Sequence, residues 1–67
     1  MKPSIAIARR ACEAIKARQV VLVAFDHEGQ HAVISYGETR GECAAVRPLC
    51  DRIADMLASG ALPDPRT

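Results

Sequence analysis

The sequence predicts an α+β fold: helix, strand, strand, helix, with the two-stranded antiparallel hairpin completed to a four-stranded sheet by homodimerisation. Three observations carry this. The run Val20-Val21-Leu22-Val23-Ala24-Phe25 has no charge, glycine or proline. Asp26-His27-Glu28-Gly29 places Asp first and Gly fourth, as a type I turn requires, ahead of a second β-rich run. Apolar residues at three- and four-residue spacing flank the hairpin on both sides.

The first helix is expected from a Ser4 cap to about Lys16 or Arg18. Ile5, Ala8, Cys12 and Ile15 form its apolar stripe, and Arg9, Arg10, Glu13 and Lys16 lie largely off it. The stripe is Ala-rich, short and weakly apolar, so packing must hold the helix.

Residues 20–26 read as the first strand by their β-branched content. A type I turn with Gly29 in the left-handed region gives a three-residue hairpin loop with a bulge. That sets a register: Asp26 faces Gln30, Ala24 faces Ala32, Val23 faces Val33 and Leu22 faces Ile34. Residues 31–37 are then the second strand. One face carries Val20, Leu22, Ala24, Ala32, Ile34 and Tyr36. The other carries Val21, Val23, Phe25, His31, Val33 and Ser35. Both are largely apolar, whereas a sheet with one solvated face alternates more cleanly. Two helices can cover one face; a second copy is the simplest cover for the other face or the strand edge. Val21, Val23, Phe25 and Val33 are the expected dimer interface. Edge-to-edge pairing is preferred, and face-to-face stacking of hairpins is the alternative.

Thr39-Arg40-Gly41-Glu42 fits a capping box, with Thr39 as cap and Glu42 reaching back. The second helix is expected to run to about Ser59 on a stripe of Cys43, Val46, Cys50, Ile53 and Leu57, widened by Leu49 and Met56. Pro48 interrupts the pattern and predicts a kink or break near residues 44–47. Gly60 suits a C-terminal cap, with Leu62 as its apolar contact. The chain thus reads as one αββα domain over residues 1–62 and a disordered tail over 63–67.

At 67 residues and 3% aromatic content, the core is modest and marginal without a partner. The net charge of +1 sets up no strong field toward nucleic acid or an acidic membrane. Cys12, Cys43 and Cys50 are odd in number and on apolar helix faces, which suggests free thiols and a cytoplasmic location. Met1-Lys2-Pro3-Ser4, followed by Arg9-Arg10, does not read as a secretory signal. No stretch approaches the ~20 apolar residues of a membrane helix.

Candidate chemistry is sparse. Asp26, His27, Glu28 and His31 are the only concentration of metal-type ligands, but their directions alternate around a tight turn, and turn chemistry accounts for Asp26 and Gly29. His31, beside Phe25, is expected to be partly buried. Cys43 falls in the first turn of the second helix, where the helix dipole favours a thiolate. Cys43 and Cys50 lie about 10.5 Å apart along a helix, too far to bridge. Arg9, Arg10, Lys16 and Arg18 make a basic outer face that could meet phosphates, although Glu13 interrupts it. No catalytic constellation, metal site or cofactor motif is present, so no enzyme is expected.

Ala24-Phe25-Asp26, Gly29 and the run from Ser35 through Cys43 resemble small uncharacterised phage- and prophage-encoded proteins of Gram-negative bacteria. The resemblance covers about half of the chain and implies an αββα unit. Strand, turn, strand, then Gly37-x-Thr39-x-x-Glu42 opening a helix, is similar to the HicB-type antitoxins, without their proline-glycine loop and third strand. The helix-strands-helix order also resembles double-stranded-RNA-binding domains, with one strand and the lysine cluster missing. The functional expectations are therefore a protein-interaction module, a nucleic-acid binder using the first helix, or an antitoxin-like partner of a small toxin.

Overall fold

The computed structural model describes residues 4–65. It shows the expected order: α1 (Ile5–Ala14), β1 (Gln19–Phe25), β2 (His31–Gly37) and α2 (Arg40–Ser59). Met1–Pro3, and Arg66 and Thr67 of the expected tail, lie outside the described residues.

The hairpin follows its turn chemistry. One Asp26 carboxylate oxygen accepts from the amides of Glu28 (2.9 Å) and Gln30 (2.8 Å), and Gly29 takes φ 83°. The register is the one the turn implies: Val23 opposite Val33, Leu22 opposite Ile34, Phe25 opposite His31. The Asp26 amide donates to Gln30 C=O and the Glu38 amide to Arg18 C=O, both at 3.1 Å. The ladder bonds therefore join even-numbered residues, and odd-numbered residues turn their N–H and C=O to the outer edges.

α1 ends earlier than its apolar stripe suggests. Ala17 N–H donates to Cys12 C=O (2.9 Å) and Lys16 N–H to Glu13 C=O (3.2 Å), the paired bonds of a Schellman motif. Lys16 supplies its left-handed residue at φ 55°, a place where glycine is usual. Ser4 is extended at the other end and makes no side-chain cap bond; its C=O receives the first helical amides.

At α2, Thr39 Oγ1 accepts from the Glu42 amide at 3.1 Å, and Gly60 closes the helix at φ 80°. The return half of the capping box is replaced: the Glu42 carboxylate turns toward Arg18, 3.8 Å away. The helix is unbroken through Pro48. Proline removes the bond to Ala44 C=O, but Ala44 and Pro48 are both exposed, so water can satisfy that carbonyl.

Ala8, Cys12 and Val20 form the buried core, with Ala17, Leu22, Ile34 and Tyr36 packed on it. α1 therefore covers the even-numbered face. α2 begins over the odd-numbered face. The Gln19 side-chain amide donates to Glu42 C=O at 2.8 Å, and a Cβ on Gly37 would run into the backbone of Glu42 and Cys43. The helices do not pack on one another, and both lean chiefly on β2. The expectation that they share one face is thus corrected. Two-residue linkage from Gly37 to α2, with no side chain on Gly37 to block it, lets α2 start on the opposite side.

Candidate interaction surface

The sheet has two strands, so β1 and β2 each present an outer edge; the helices lean chiefly on β2 and leave the edge of β1 the less covered. Its odd-numbered residues, Val21 and Val23 among them, direct backbone groups outward. Val23 is 39% exposed, and Val21 and Phe25 are half-buried.

Helical spacing places the exposed apolar residues of the two helices. Ile5 and Ile7 sit about 160° apart around α1, on either side of the buried Ala8–Cys12 line. Ile5 lines a groove beside β2; Ile7 lies across the Ala8–Cys12 line, about 120° from it, and turns mainly to solvent on the side away from that groove. On α2, Arg47 and Asp51 line that same groove, and Leu49 lies about 160° from Arg47, on the side away from the groove. Ile7 is 50% exposed, Ile15 71% and Leu49 52%. Leu49 was legible in the sequence only as a residue widening the second helix's stripe, and Ile7 lies off the first-helix stripe of Ile5, Ala8, Cys12 and Ile15. The exposure of Ile7 and Leu49 emerges once the helices are seated.

Of the four expected interface residues, Val21, Val23 and Phe25 belong to β1. Val33 lies on β2, where it lines the groove on the far side.

The basic face is partly neutralised. Arg9 Nε donates to Glu13 at 2.9 Å, a bond that raises the guanidinium above its ordinary value, and Arg18 approaches Glu42. Arg10 and Lys16 are exposed. His31 is exposed rather than partly buried. Among the described residues no three His, Cys, Asp or Glu side chains converge as metal ligands, and no helix is long and apolar enough to cross a membrane.

The three thiols are free, and Cys43 and Cys12 hold backbone groups. Cys43 Sγ accepts from Gly37 N–H and donates to Gly37 C=O, each at 3.1 Å, and so caps the outer edge of β2 where α2 begins. Cys12 Sγ donates to Ala17 C=O at 3.0 Å. Burial first, and then the charge of Glu38, push the Cys12 thiol above its ordinary value. The folded state holds this proton more tightly than the unfolded chain. Stability is therefore full below the unfolded thiol's value and falls as pH rises through it. Urea midpoints should drop above about pH 8.5 in the wild type and drop less in Cys12→Ala. Parallel pH profiles for the two proteins would contradict this.

Compared with known proteins, the chain matches no family model, no curated sequence and no solved structure.

Proposed function

We propose that this chain is a non-enzymatic protein-interaction module that works as a homodimer, with β1 of each copy pairing edge to edge into a four-stranded sheet of order β2-β1-β1-β2. The observation that carries this is the unpaired outer edge of β1, an uncharged strand on which Val23 is 39% exposed.

An uncovered, uncharged edge strand is a liability that a soluble chain removes by pairing.

The outward groups of β1 suggest a two-fold axis at Leu22. Val21 then forms a hydrogen-bonded pair with the second copy's residue 23, and the reciprocal pair follows by symmetry.

Sedimentation velocity across the micromolar range should give a dimer. Val23→Asp should give a folded monomer with an unchanged far-ultraviolet circular dichroism spectrum, because residue 23 is already partly exposed within one copy. A wild type that stays monomeric throughout, or a Val23→Asp protein that remains dimeric, would sink the proposal.

A further inference from the structure

The groove on the other side of the hairpin goes beyond the dimer and does not depend on it. It has a volume of about 500 Å³ and is lined by Val33, Ile34 and Ser35 of β2, by Ile5 of α1, and by α2 from Cys43 to Asp51. That size is in the range of ligand pockets. Three consecutive strand residues alternate between faces, so a groove that all three line follows the strand's outer edge. Val33 and Ser35 are odd-numbered, and their N–H and C=O point away from β1. Gly37 has the same outward groups, and there Cys43 Sγ already satisfies them. The open stretch therefore begins where the thiol cap stops.

The walls decide what fits. Ile5 rises on one side and α2 on the other. A second copy paired here would have to bring its own helices past Ile5 and α2, whereas an extended segment carries none. From residue 43 to residue 51, α2 advances about 12 Å, the length of three to four extended residues.

Charge specifies the segment further. Arg47 and Asp51 both line the groove, and neither makes an ion pair among the described residues. They stand one turn apart, about 6 Å along the axis. Alternate residues of an extended strand stand about 6.6 Å apart on one side. α2 runs back along β2, so a peptide antiparallel to β2 runs in the same direction as α2. Its acidic residue would then meet Arg47 and its basic residue Asp51. The residue between them would turn to Ile5 and Ile34.

We propose that this groove binds an extended peptide as an added strand antiparallel to β2, reading the pattern acidic–apolar–basic. Backbone bonds to Val33 and Ser35 supply affinity, and the two charges and the apolar slot supply the selection, as in other strand-addition sites.

The test is selection of a random heptapeptide library against the full-length wild-type chain, followed by fluorescence anisotropy of the enriched peptides. Enriched sequences should carry acidic–apolar–basic. Binding should weaken at least about tenfold in Arg47→Glu. The double variant Arg47→Glu/Asp51→Lys should instead prefer basic–apolar–acidic. Both positions are exposed, so folding should survive. Amide shifts on titration should centre on Val33 and Ser35. No enrichment over a bare-support control, equal binding to the charge variants, or shifts centred on Val21 and Val23 would each overturn the proposal. The last would mean that peptides compete for the β1 edge. Sedimentation of the same sample reads the dimer separately, so the two proposals fail independently.

Discussion

Gly37→Val is expected to destabilise the fold by about 3 kcal/mol, the upper end of what overpacking costs. A Cβ at this position would sit 2.5 Å from the Cys43 backbone nitrogen and 2.6 Å from the Glu42 carbonyl carbon. Both are backbone atoms, so no side-chain rotation relieves the clash and the first turn of α2 must move. That turn holds the Thr39 cap, the bond from Gln19 to Glu42 C=O, and the Cys43 thiol on Gly37. A domain of this length has roughly 3–10 kcal/mol of stability in all. The thermal midpoint should therefore fall by about 12 °C or more. Gly37→Ala adds the same Cβ and should lose most of this. Gly29→Ala is the contrast: it faces open space, and its cost is the strain of a left-handed residue, about 1 kcal/mol. Thermal and urea denaturation of the three variants would check the order. A Gly37→Ala protein as stable as wild type would mean that α2 is not seated on Gly37.

The hairpin was legible because its information is local. Asp26 and Gly29 determine the turn, and the turn determines every cross-strand pair. The same holds for the Thr39 and Gly60 ends of α2. The end of α1 was not legible, because Lys16 carries no signal for a left-handed residue; packing of Ala17 and Cys12 imposes it. The layering was also hidden. Periodicity shows that Ala8 and Val46 are apolar, but not that their helices take different faces. The close approach at Gly37 did leave a trace: a glycine ending a strand two residues before a helix cap. For the candidate surface, the uncharged first strand pointed to Val21 and Val23. Leu49 could not be separated from core residues, because a stripe does not say which of its flanks meets a neighbour, and Ile7 fell outside the first-helix stripe altogether.

Proline substitution should distinguish edge pairing from stacking, because neighbouring residues of β1 use their amides differently. Leu22 is even-numbered and opposite Ile34, so its N–H belongs to the hairpin ladder. Leu22→Pro removes that bond and orphans the Ile34 carbonyl, at about 1–3 kcal/mol, before the loss of a half-buried leucine is counted. The chain should largely unfold. Val23 directs its N–H to the open edge, the one setting in which a strand accepts proline. Val23→Pro should leave the monomer folded. In the edge-paired dimer, however, it deletes two hydrogen bonds, one in each symmetry-related pair, at about 1 kcal/mol apiece. The dissociation constant should rise about 30-fold on that account alone. Val23→Ala is the control, since it removes the valine side chain and keeps the N–H. Sedimentation equilibrium on the three proteins would settle the mode. If Val23→Pro dissociates no more readily than Val23→Ala, the edge amide is unused. The copies would then be stacked through their faces.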